Sequence, residues 1–129
     1  MTAVLLDTHT WAWTLTDDSR LSAKATALIT DADSVFVSPI SFFEIGQKVR
    51  IGKWPEMEPF INHLPSLLVE QGGRVAALAP EICLKGATLA WEHRDPFDRL
   101  LAASALDFGA ALISADEVFD TFPAVKRLW

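Results

Sequence analysis

The chain has 129 residues, half of them hydrophobic, with 8 Phe, 5 Trp and no Tyr. That is enough apolar material for one core, and it excludes a disordered or low-complexity protein. The single cysteine, Cys83, excludes an internal disulfide and fits a reducing compartment. A net charge of −6 argues against a basic-faced nucleic-acid binder, unless carboxylates gather round a divalent cation or a basic partner covers the surface.

In chain order, Val4-Leu5-Leu6 reads as a buried strand that stops at Asp7. The apolar run is too short for a signal peptide or a membrane span, so a cytoplasmic protein is expected. Residues 8–15 follow as a helix with Trp11, Ala12 and Leu15 on one face. Ser22 starts a second helix, in which Lys24, Ala25, Leu28 and Ile29 have helical spacing. Residues 35–37 form a second strand. Ser38 caps and Pro39 opens a third helix, 40–51, which Gly52 stops. Residues 58–70 read as mainly helical, with Pro65 as a break or restart. After Gly72-Gly73, residues 74–78 form a third strand and 80–89 another helix. Asp95 caps a helix over 96–108, closed by Gly109. Residues 110–113 are the fourth strand, followed directly by Ser114-Ala115-Asp116-Glu117, and 125–128 form a short fifth strand.

Short strands that are apolar on both faces and alternate with helices predict a parallel sheet covered on two sides. The expected fold is a single three-layer α/β/α domain over 1–129, its central, mainly parallel sheet having four to five strands. Sites in such sheets form beyond the carboxyl ends of the strands, at a switch in strand order.

Four acids stand where such a site would form. Asp7 follows strand one, and Asp116 follows strand four after two small residues. Asp98 lies in the first turn of the helix before strand four, and Glu44 lies mid-helix after strand two. Each also has a local explanation. Asp7, Asp95 and Asp116 are placed to cap, and Asp98 favours its helix dipole. Glu44 pairs with Lys48 one turn on, worth about 0.3 kcal/mol. If strands one and four are neighbours, however, the fold aims all four acids at one edge. Converging carboxylates do not all ionise without a counter-charge. All-oxygen ligation suits Mg²⁺ or Mn²⁺ rather than zinc. His9, His63 and His93 are too scattered to form a ligand set by spacing and read as surface or supporting residues. Acids plus a hard divalent ion suffice for phosphodiester hydrolysis, with no nucleophilic side chain required.

The stretches "LLDTHTWAW", "SPISFFEIGQKVRIGKW", "HRDPFDRLLAASAL" and "ALISADEVF" resemble the PIN-domain proteins, specifically the VapC-type toxin ribonucleases of bacterial toxin–antitoxin pairs. They follow the family's order over almost the whole chain. The resemblance implies a metal-dependent endoribonuclease with Asp7, Glu44, Asp98 and Asp116 as its acidic site. Asp7 and Asp98 would be direct metal ligands, with Asp116 and Glu44 completing the pocket directly or through water. Thr8 and Ser114 would position ligands or water by their hydroxyls, while Asp95 caps. For RNA contact, Lys48, Arg50 and Lys53 form one basic patch and Arg94 with Arg99 another, of which Lys48 and Arg99 are the candidate substrate contacts. Trp11, Trp13, Trp54 and Trp91 are available for packing, an interface or base stacking. The resemblance also implies a homodimer and a cognate antitoxin that itself carries the DNA contact.

Two other functions compete. "DTHT" begins like an aspartate-based phosphotransfer motif, but His9 stands where a second Asp is expected. A binding module that kept the fold and lost the chemistry is the other, and it sits poorly with four intact acids.

Overall fold

The computed structural model describes residues 2–129. Its strands are β1 (Ala3–Leu6), β2 (Ser34–Val37), β3 (Arg74–Val75), β4 (Ala111–Ile113) and β5 (Arg127–Leu128). Its α-helices are α1 (Thr8–Thr16), α2 (Ala23–Asp31), α3 (Pro39–Arg50), α4 (Leu64–Glu70), α5 (Pro80–Thr88) and α6 (Pro96–Phe108). The five strands form one sheet in the order β3-β2-β1-β4-β5, and every pairing is parallel. The expected mainly parallel sheet is therefore parallel throughout.

Side chains alternate across a strand, and that alternation separates two cores. Val4, Leu6 and Ile113 face one side, with Trp11, Val37, Ile45, Met57 and Leu68. Leu5 and Leu112 face the other, with Leu101, Ala102, Ala105 and Phe119. Helices thus cover both faces, as expected for three layers. No helix among the described residues is long and apolar enough to cross a membrane.

The helix starts follow local chemistry. Ser22 and Ser38 cap α2 and α3 with their hydroxyls, and Pro39 occupies the first turn of α3, where its missing N–H costs nothing. Gly109 ends α6 in the left-handed conformation at φ 59°.

Three element boundaries differ from the sequence reading. Residues 55–63 are a 3₁₀ helix, and α-helix resumes only at Leu64. Pro59 and Pro65 supply no N–H, so an α-helical ladder does not run across them. The third strand has two residues rather than five. Its partner β2 ends at Val37, whose carbonyl takes a last bond from Ala76 N–H (2.9 Å), and nothing lies beyond to pair with. Both β3 residues are exposed, so this edge strand is not apolar on two faces. The fifth strand shrinks to Arg127–Leu128, because Val125 is tied into a turn by its N–H to the Phe122 carbonyl (3.0 Å).

Helices α5 and α6 touch at Gly86, which is buried. A Cβ there would lie 3.2 Å from Leu100 Cδ2 and 3.3 Å from the Arg99 carbonyl oxygen. The side chain can yield but the backbone oxygen cannot. Gly86→Ala is therefore expected to destabilise the protein by about 1–2 kcal/mol, read as a lower urea midpoint at unchanged slope.

Candidate active site

β1 is central, with β2 on one side and β4 on the other, so the chain reverses direction across the sheet between β1 and β4. Leu6 pairs with Ile113, which places Asp7 and Ser114 side by side just past the strand ends. Asp7 N–H still donates to the Ile113 carbonyl (3.2 Å), and Thr10 Oγ1 donates to the same oxygen (2.9 Å). The start of α1 is thereby pinned to the end of β4.

Beyond this edge opens a cavity of about 380 Å³. Asp7, Glu44, Asp98 and Asp116 all line it, with Thr8, His9, Lys48 and Asp95. They come from four places in the chain: the β1–α1 junction, mid-α3, the first turn of α6, and the residues after β4.

Each acid is held by a local partner. Asp7 is buried and caps α1, its Oδ1 accepting from Thr10 N–H (2.8 Å) and its Oδ2 from the Ser114 hydroxyl. Ser114 Oγ also accepts from Asp116 N–H (3.0 Å), so one buried hydroxyl joins two of the acids. Asp116 caps the following short helix through Val118 N–H (3.0 Å). Glu44 meets Lys48 Nζ at 3.0 Å. Asp98 Oδ2 lies 2.7 Å from His93 Nε2, while Asp95 caps the helix through Asp98 N–H (3.1 Å). The capping roles are therefore real, and they coexist with a place on the cavity wall. Thr8 is fixed by a 2.9 Å hydroxyl hydrogen bond to Ser41.

Burial pushes the Asp7 carboxyl above the ordinary carboxylate range, against the opposing hydrogen bonds from Ser114 and Thr10. Asp98 is raised to about 6, chiefly by burial; the hydrogen bond with His93 opposes this, and the nearby Asp95 and Asp116 charges add to the rise.

A family model described as "PIN domain" matches residues 4–125. This chain belongs to the PIN-domain family. Ribonuclease VapC22 of Mycobacterium tuberculosis is 31% identical over 117 residues, covering 90% of this chain and 88% of that protein. VapBC2 from Rickettsia felis, solved bound to a DNA fragment from its promoter, superposes on 99% of both chains with a TM-score of 0.72 and 15% identity. VapBC-1 from nontypeable Haemophilus influenzae superposes on 98% of this chain and 97% of that one, with a TM-score of 0.68 and 18% identity. At those identities the solved structures speak for the fold.

The acids that line the cavity offer carboxylate oxygen, the type hard divalent ions take. No three His, Cys, Asp or Glu side chains among the described residues close into a metal cage. Mg²⁺ does not require one, since it keeps several waters and rests on one or two carboxylates. Two desolvated carboxyls with raised pKa, beside two further acids on one wall, fit such an ion in kind.

Of the expected substrate contacts, Thr8 and Lys48 line the cavity. Ser114 is not among the residues lining it and is bonded instead to Asp7 and Asp116. Arg99 does not line the cavity. Its guanidinium turns away and donates to the carbonyls of Gly86 (2.9 Å), Trp91 (2.7 Å), His93 (2.9 Å) and Leu89 (2.7 Å). Five donors in a rigid fork suit a loop that has no secondary structure to satisfy its own carbonyls. Sequence reasoning did not assign His93 to Asp98. The loop before the Asp95 cap folds back on the helix start, and no spacing rule signals that. Thr10 was open to discovery, because an N-cap acid seeks the N–H of N2 or N3. Trp11 is core, whereas Trp13 and Trp54 are half-buried beside the cavity.

Proposed function

We propose that this PIN domain is a Mg²⁺- or Mn²⁺-dependent endoribonuclease, the toxin of a toxin–antitoxin pair. The observation that carries the reading is the single cavity lined by Asp7, Glu44, Asp98 and Asp116 at the switch point of the sheet. The 31% identity to a protein named a ribonuclease supports the substrate class.

In this reading Asp7, Asp98 and Asp116 hold the ion. When bound, the ion supplies Lewis acidity to the scissile phosphate and acidifies an attacking water. Glu44, which lines the same cavity, would orient that water, and Lys48 beside it would meet phosphate charge. Ser114 keeps the Asp7 carboxylate aimed, and Thr8, fixed by Ser41, shapes the wall. His9 stands where a phosphotransfer motif carries its second Asp, which weighs against a phosphotransfer domain.

The partners follow from the same reading: RNA as substrate, a cognate antitoxin, DNA only through that antitoxin, and a cytoplasmic setting. Solved relatives described as toxin–antitoxin complexes, some with promoter DNA, support this set. A homodimer belongs to it too. Phe43 on α3 and Leu84 on α5 are 60% and 68% exposed, and such apolar side chains suit a covered face.

The test is cleavage of total cellular RNA by the purified protein with Mg²⁺, with Mn²⁺ and with EDTA. Discrete fragments only with metal are expected. Cleavage that persists in EDTA would overturn the metal dependence, and no cleavage in any lane would overturn the enzyme.

Metal affinity is expected to follow pH. A ligand must be ionised, so protons compete with the ion below the Asp98 pKa of about 6. The apparent Kd for Mn²⁺ should rise about tenfold per pH unit below that value and level off above it. Asp7, also raised, steepens the slope. Calorimetric titration at pH 5, 6 and 7 reads this directly. A pH-independent Kd would remove Asp98 from the ligand set.

A further inference from the structure

A second cleft, of about 400 Å³, adjoins the acidic cavity and shares His9, Trp13 and Lys48 with it. Arg20, Lys53 and Trp54 complete its walls, with Glu56 as its one acid. Its lining carries three cations to one acid, in a chain of net charge −6. The aromatic and cationic groups are interleaved. The Arg20 guanidinium lies 5.0 Å from the Trp13 ring centre, and Lys48 Nζ lies 5.4 Å from that of Trp54. His9 stacks on Trp54 with centroids 4.6 Å apart and planes inclined at 27°. It also meets Trp13 edge-on at 5.9 Å. Arg20 is tied to Asp18 and Lys48 to Glu44, but exposed Lys53 has no ion pair among the described residues.

Packing accounts for part of this arrangement, since Trp54 lies against the first core and Trp13 meets Trp129 edge-on at 5.7 Å, but it leaves the cleft-facing groups uncovered. His9, Arg20 and Lys53 are exposed, and the two indoles are only half-buried. Rings with open π surface next to cations are what single-stranded nucleic acid uses: bases stack, and phosphates meet the charges. A duplex keeps its bases paired and stacked, so it offers no free base to such a cleft.

We infer that this cleft binds the nucleotide flanking the scissile phosphate of single-stranded RNA, its base against the His9–Trp54 stack and its phosphate at Lys53 and Lys48. The inference rests on the nuclease reading and adds where the strand leaves the acidic cavity. Continuity through His9, Trp13 and Lys48 is what joins the two.

The experiment measures binding of a fluorescein-labelled, mixed-sequence RNA decamer by anisotropy. It uses the full chain carrying Asp98→Asn, alongside cleavage by the wild type in Mn²⁺. Trp54→Leu, which keeps apolar bulk but removes the ring, should raise Kd roughly tenfold, and Trp54→Phe should recover most of that. Lys53→Gln should reduce the slope of log K against log[salt] by about 0.7, the single-strand value for one lost phosphate contact. The decamer annealed to its complement should show no dependence on Trp54. In the otherwise wild-type chain, the loss should fall on KM rather than kcat. Active wild type with unchanged affinity and salt slope in both variants would overturn the subsite and leave the nuclease standing. The same result with lost neutralisation by the co-expressed antitoxin would also overturn it, and would assign the cleft to the protein partner. A wild type that neither cleaves nor binds RNA would overturn the nuclease reading and the subsite with it.

Discussion

Asp98→Asn is expected to lower RNA cleavage by roughly 10³-fold or more, since in the proposed mechanism it removes an anionic ligand from the metal and leaves a neutral amide of the same shape. The fold should persist, and the sign of the stability change can be worked out. The Asp98 carboxyl titrates near 6 in the folded protein, above its ordinary 3.8. The native state therefore binds the proton more tightly than the unfolded chain. Stability from this group is fully present below pH 3.8 and is lost as pH rises through about 6. At pH 7, without metal, the ionised carboxylate opposes folding. The Asn variant should then melt at or above the wild-type Tm, while Mn²⁺ raises the Tm of the wild type alone. Differential scanning calorimetry with and without Mn²⁺, run beside the cleavage assay, checks both halves. A folded variant with full activity would show that Asp98 only starts its helix.

Arg99→Ala is expected to cost about 3 kcal/mol of stability. Its fork holds four carbonyls at 2.7–2.9 Å across the α5–α6 connection. Removal leaves those acceptors to find water in a part-buried setting, and bonds from a charged donor are the stronger kind. The damage should reach the site. Arg99 holds the His93 carbonyl, and the His93 ring contacts Asp98 at 2.7 Å. Activity should fall together with the urea midpoint. Arg99→Lys should rescue little, because a single ammonium cannot span carbonyls that a planar fork reaches together. A variant within 0.5 kcal/mol of wild type would show that the loop holds itself.

The structure and the sequence reading agree most closely where local chemistry is strong. Ser22, Ser38 and Asp95 cap helices, Pro39 and Pro96 open them, and Gly109 closes one. These choices depend on residues within one turn, so they are visible in the chain. The departures lie at 55–63 and at the edge strands. Proline spacing decides between α and 3₁₀ geometry there, and β3 ends because its partner strand ends. The strand's own residues carry no mark of that.

The candidate site divides in the same way. Asp7, Asp98 and Asp116 were legible as residues at strand ends and helix starts, because cap positions and strand termini are periodic features of the chain. Lys48 was legible as Glu44's partner from the i,i+4 spacing. Arg99 was not legible: a basic residue beside an acidic one reads as surface, and only the folded loop supplies the carbonyls that claim it. The same holds for His93, and for His9 stacked on Trp54 across 45 positions of sequence. By itself the sequence determined the alternation of strands and helices, the two-sided burial of β1 and the identity of the acids. Tertiary structure alone decided that β1 and β4 are neighbours, that four acids from four segments share one wall, and that a basic aromatic cleft adjoins them. The reason is physical. Caps, turns and periodicity are set by residues a few positions apart, whereas strand order and side-chain convergence follow from how two cores close around one sheet.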